Sequence, residues 1–130
     1  MILLDTHVVI WLALTPDKIS AAAAVAIREA DSSGELTCIS VMTIYEVANA
    51  IRLGRIEPKM PHHYFLNRIR SRFKVFPVSD AIAQCAGELP APFHGDPMNR
   101  IIAATAIVED CTLISKDGNI RKANLCKVIW

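Results

Sequence analysis

Apolar and polar positions along this chain sort into short unbroken apolar runs and longer stretches of helical character. Ile2, Leu3 and Leu4 are wholly apolar and stop at Asp5, which predicts a buried strand. Residues 36–39, 74–78, 112–114 and 127–129 predict four more strands, the last of them short. Between them lie the alanine-rich residues 20–30, with Ser20 as N-cap, and residues 43–53, which end at a glycine C-cap, Gly54. Helices are also predicted over 61–70, 80–88 and 98–108, the last carrying the apolar run IIAATAIV after a Pro/Gly/His-rich break at 90–97. Strands alternating with helices are the signature of βαβ units around a parallel sheet, whose strands are covered on both faces and so are continuously apolar. The expectation is an α/β fold: a three-layer α/β/α sandwich with a mainly parallel sheet, formed by a single domain over 1–130.

Composition agrees with a globular chain. Hydrophobic residues make up 52% and charged residues 21% of 130 residues, too apolar for disorder. No run reaches the ~20 apolar residues of a membrane span. The opening MILLDTHVVIWLAL is interrupted by Asp5 and His7 and has no basic leader, so a signal peptide is not expected. Cys38, Cys85, Cys111 and Cys126 have neither CxxC nor zinc-ligand spacing, and read as reduced thiols of a cytoplasmic protein.

Parallel sheets gather ligands beyond the carboxyl ends of their strands. Asp5 ends the first strand, Glu46 is early in the helix after the second, Asp117 follows the strand TLIS, and Asp96 opens the long apolar helix. Each has a local alternative. Asp5 or Thr6 could cap the next helix, Thr43-x-x-Glu46 is a capping box, Asp117-Gly118 is a turn pair, and Asp96-Pro97 is a helix start. Together, four carboxylates from separate elements would repel each other unless a hard cation such as Mg²⁺ or Mn²⁺ lay between them.

LLDTH, SVMTIYEVANAIRLGRI, HGDPMNRIIAATA, LISKDGNI and the final KVIW resemble the PIN domain, and more narrowly the VapC-type toxins of toxin–antitoxin pairs. The resemblance spans nearly the whole chain. It implies a metal-dependent ribonuclease that hydrolyses RNA phosphodiesters, with Mg²⁺ or Mn²⁺ as cofactor, a small antitoxin partner, and dimerisation as a common family habit. Carried over by position, Asp5, Glu46 and Asp117 match family acids and would be catalytic, with Asp5 and Asp117 also metal ligands. The segment that usually reads D-P-x-D-R has Asn99 at its second acid. Asn offers a carbonyl oxygen without the charge, so either Asp96 compensates or the site is weakened into one that binds without cutting. Thr6, Arg100 and His94 are the candidate substrate contacts; His7 reads as a structural residue and His62-His63 as a solvated helix start. A metal-dependent phosphatase is disfavoured, because Asp5 is followed by Thr6 and His7 rather than by an Asp-x-Asp pair.

Net charge is only +1, which on its own points away from nucleic acid. Yet Arg52, Arg55, Lys59, Arg68, Arg70, Arg72 and Lys74 are seven of the 14 basic residues and share their segment with one acid, Glu57. That run is either a solvated face or a patch for RNA phosphate or an acidic antitoxin tail. Neutrality is a cancellation of separated charges.

Overall fold

The computed structural model describes residues 1–91, 93 and 95–130. Five short strands form one sheet: β1 (Ile2–Leu4), β2 (Thr37–Ser40), β3 (Lys74–Phe76), β4 (Thr112–Ile114) and β5 (Val128–Ile129), in the order β3-β2-β1-β4-β5. Every pairing is parallel, with Leu3 opposite Cys38 on one side and Leu113 on the other. The chain therefore runs outward from β1 through β2 to β3, then returns to the other side of β1 for β4 and β5. The reversal falls between β1 and β4, the place where open parallel sheets leave a crevice for ligands.

Among the described residues seven α-helices cover the sheet: α1 (Thr6–Leu14), α2 (Ala21–Ser33), α3 (Val41–Arg52), α4 (His62–Arg72), α5 (Asp80–Glu88), α6 (Pro97–Val108) and α7 (Gly118–Ala123). Strand side chains alternate between faces. Ile2, Leu4, Ile39 and Ile114 share a core with Val8 and Val9 of α1, Ile27 of α2, Val47 of α3 and Phe65 of α4. Leu3, Cys38, Leu113 and Phe76 point the other way, toward Ile102 and Ala106 of α6 and Ile120 of α7. This is the expected three-layer sandwich. Leu3, Leu4, Leu113 and Ile114 are wholly buried, and each such side chain contributes about 1.5–3 kcal/mol over an exposed one.

Local signals explain most boundaries. Ser20 caps α2 through Ala23 N–H, and Ser79 caps α5 through Ile82 N–H. After α3, Gly54 takes φ +69° while Gly54 and Arg55 donate to the carbonyls of Ile51 and Ala50, a glycine closure as expected. The capping box is a correction. α3 begins two residues earlier than predicted, at Val41, because Ser40 caps it through Met42 N–H. Thr43 is wholly buried inside the helix and cannot cap it. Cys38 and Cys111 are buried free thiols, Cys85 and Cys126 half-buried ones. Among the described residues no helix is long and apolar enough to cross a membrane.

Candidate active site

The acids assemble at the β1/β4 reversal. Asp5 leaves the end of β1 almost fully buried, 3% exposed, and both of its oxygens are engaged. Thr6 N–H donates to Oδ1 at 2.7 Å, and the Ser115 hydroxyl donates to Oδ2 at 2.6 Å. His7 Nδ1 stands 3.5 Å from the same Oδ2, while His7 Nε2 accepts from Lys116 N–H at 3.0 Å. The carboxylate thus has one orientation, set from β1, α1 and the end of β4.

Glu46 joins through Thr6, whose Oγ1 lies 2.6 Å from Glu46 Oε1 and 3.2 Å from Thr43 Oγ1. A hydroxyl has one proton; the shorter contact to the carboxylate takes it, leaving Thr43 to donate to Thr6. Burial pushes the Glu46 pKa above the usual carboxylate range. The Thr6 hydroxyl partly offsets this, and the charges of Asp5 and Asp96 add to it.

Asp96 and Asp117 are built alike. Each caps a helix with Oδ1: Asp96 accepts from Met98 N–H at the start of α6, and Asp117 from Asn119 and Ile120 N–H at the start of α7. Each then turns Oδ2 toward Asn99, whose Nδ2 is 3.3 Å from Asp96 and 3.4 Å from Asp117. Asn99 is the third residue of α6, one turn from the cap, as its sequence position implied. Ser115 closes the line, because its Oγ accepts from Asp117 N–H at 3.0 Å. One hydrogen-bonded path therefore runs Glu46–Thr6–Asp5–Ser115–Asp117–Asn99–Asp96.

Sequence reasoning passed over Ser115. The available signal was a polar residue at a buried strand end two positions before an acid, the spacing of a serine turn. Arg100 is placed elsewhere: its guanidinium donates to the carbonyls of Ala86, Gly87 and Leu89, at 2.8, 3.3 and 2.8 Å, closing the end of α5. His94 lies outside the described residues.

The donor set suits a hard divalent ion. All its atoms are oxygen, the capping geometry leaves Asp96 Oδ2 and Asp117 Oδ2 facing one position, and the amide filling the gap between them supplies the positive end of a dipole. Among the described residues no three His, Cys, Asp or Glu side chains form a cage by themselves. Asn99, turned to present its carbonyl, is the additional oxygen donor at hand.

The model of the PIN domain family matches residues 2–124. The chain belongs to the PIN domain family. Over 120 residues it is 32% identical to Ribonuclease VapC22 of Mycobacterium tuberculosis, covering 92% of this chain and 89% of that one. As a fold it is similar to VapBC2 of Rickettsia felis bound to a promoter DNA fragment, with TM-score 0.75, 16% identity and coverage of 99% and 98%. It is also similar to DNA-bound VapBC of Salmonella typhimurium, with TM-score 0.73, 16% identity and the same coverage. Within the PIN domain matched here, Asn99 stands where the resemblance implies an acid.

Proposed function

We propose that this PIN-domain chain is a divalent-metal-dependent endoribonuclease, the toxin of a two-protein toxin–antitoxin pair. The observation that carries the reading is the hydrogen-bonded line of Asp5, Glu46, Asp96 and Asp117 at the reversal of an all-parallel sheet, with Asn99 bridging two of them. The ribonuclease name of a relative and the VapBC assemblies among similar structures support the same reading.

Asp5, Asp117, Asp96 and Asn99 would hold Mg²⁺ or Mn²⁺. Such an ion, when bound, lowers the pKa of water, orients it for in-line attack and neutralises charge building on the phosphate. The chain's own residues set the geometry. Ser115 and Thr6 N–H lock Asp5, so the central ligand does not reorganise on binding. Glu46, anchored by Thr6, would position the attacking water, and the RNA 2′-hydroxyl has no role. Thr6, His94 and Arg100 remain the proposed contacts near the scissile phosphate, with Arg100 Nε and Nη2 held by the carbonyls of Ala86, Gly87 and Leu89.

The proposed partner is a small antitoxin. A groove of about 660 Å³ between α1 and α4 is lined by Val9, Leu12, Tyr64 and Phe65 together with Arg68 and Arg72, which suits an apolar segment carrying acidic residues. Residues 1–130 act as one unit in this proposal, and the compartment is the cytoplasm, where RNA is met. The test is cleavage of RNA by purified protein with Mg²⁺ or Mn²⁺. Loss of cutting in EDTA and in Asp5→Asn is expected; RNA left intact by wild type across metals and substrates would overturn the reading.

Asn99 favours one second reading, a PIN-like module that binds RNA or protein without cutting. If Asn99→Asp creates cleavage that wild type lacks, this second reading holds. Equal cutting by both proteins means Asp96 supplies what Asn99 does not.

A further inference from the structure

Beside the acids, on the same sheet edge, is an aromatic group with no part in the mechanism above. Trp130 follows β5, whose Ile129 pairs with Ile114 and whose carbonyl receives Ser115 N–H, so this ring leaves the sheet one strand from Ser115. Trp11 comes from α1. The two indoles are 5.6 Å apart at 52°, and His7 lies 4.9 Å from Trp11 and 6.2 Å from Trp130. Lys18 and Lys116 bring their ammonium groups within 5.8 and 5.6 Å of the Trp11 ring.

A core cluster would be buried and apolar. Here both tryptophans are only half-buried, Trp130 packing on the core with one side, both lysines are exposed, and His7 links the group directly to Asp5. The rings meet at tilts of more than 50°, edge toward face, and do not close into a flat stack. Aromatic rings flanked by exposed cations are what unpaired nucleobases and their phosphates require.

We propose that Trp11, Trp130 and His7 form a stacking platform for unpaired RNA bases next to the cleavage site, with Lys18 and Lys116 taking the flanking phosphates. The proposal rests on the ribonuclease reading for its choice of ligand. It restricts the substrate to single-stranded segments, since bases in a duplex are not free to stack on protein. It implies little base preference, because every base has a π-face.

The chain has two tryptophans, both in the platform, so tryptophan fluorescence, excited selectively over tyrosine, reports on it alone. Titration of the Asp5→Asn protein with a 12-nucleotide single-stranded RNA should quench that fluorescence. A duplex of the same sequence, or inorganic polyphosphate, should not. Trp130→Leu should weaken binding about 5- to 150-fold, the span expected for one stacked base. In the cleaving protein it should raise KM with little change in kcat, and Trp130→Phe should recover most of the loss, which separates stacking from a folding defect. If wild type cuts RNA but shows no quenching and Trp130→Leu keeps its KM, the platform is overturned and the ribonuclease reading stands. If no RNA is cut yet single strands still quench, the platform stands and the ribonuclease reading falls. Equal quenching by polyphosphate overturns the platform, because charge alone would account for it.

Discussion

Asn99→Asp is a probe of charge balance at the site before it is a probe of catalysis. The amide nitrogen of Asn99 donates to Asp96 Oδ2 at 3.3 Å and Asp117 Oδ2 at 3.4 Å. An aspartate there withdraws both hydrogen bonds and adds a third carboxylate facing two. Like charges ~4 Å apart repel by ~4 kcal/mol at an effective dielectric of ~20. Asp96 is exposed, and Asn99 and Asp117 are half-exposed. Water therefore reduces each of the two repulsions to about 1 kcal/mol, and the lost hydrogen bonds, long for their type, add about 1 kcal/mol more. In EDTA the variant should be less stable by about 3 kcal/mol, or roughly 10 °C in Tm for a chain of this size. A divalent ion should reverse the deficit, since saturation at a hundredfold over Kd contributes about 2.7 kcal/mol and the more negative site has the lower Kd. Thermal unfolding followed by circular dichroism, in EDTA and across a Mg²⁺ titration, measures both effects. An unchanged Tm in EDTA, or a variant that gains no more from Mg²⁺ than wild type does, would show that Asn99 does not balance charge between Asp96 and Asp117.

Glu46→Gln should abolish cleavage yet stabilise the metal-free protein at neutral pH. Burial raises the folded pKa of Glu46, so the folded state holds that proton more tightly and stability falls as pH rises from the unfolded value through the folded one; urea unfolding in EDTA across pH should show that fall in wild type and its loss in the variant. Arg100→Met should cost about 2–3 kcal/mol of stability by stripping three carbonyls of their donor; KM for RNA unchanged within about twofold would confine Arg100 to this structural role, and a large rise would show it also contacts phosphate. Cys111 is buried, and desolvation pushes its thiol pKa up to about 11, so native protein at pH 8 should resist alkylation there while unfolded protein reacts rapidly; mass mapping of labelled peptides checks this.

The sheet was legible because a parallel strand buried on both faces leaves an unbroken apolar run, as ILL at β1 and TLI at β4 do. Asp96-Pro97 announced α6 because cap and first-turn proline are local chemistry, visible without tertiary context. α1 was implied by its cap but not bounded. Its sequence THVVIWLAL has no polar face to give a helical period, since it meets the core on one side and the tryptophan cluster on the other. α7 has six residues, too few for a period, and Asp117-Gly118 read equally well as a turn. At the site the acids were legible as positions after strands, but their connections were not. Thr43 and Glu46 fit a capping box by spacing alone, and only the fold shows Ser40 in the cap and Glu46 on Thr6. Ser115 and the pairing of Trp11 with Trp130 depend on β4 coming to lie beside β1 and β5 beside β4, a long-range fact that no local pattern records.

We propose that the acid line around Asp5 hydrolyses RNA with a divalent ion, water being the nucleophile. The most direct test is cleavage of a defined single-stranded RNA with one 2′-deoxy nucleotide at the cleaved position, with the product ends identified by mass. Expected are cutting with Mg²⁺ or Mn²⁺, loss of cutting in EDTA and in Asp5→Asn, and no 2′,3′-cyclic phosphate among the products. Cleavage that persists without metal, or that stops when the single 2′-hydroxyl is removed, would contradict it.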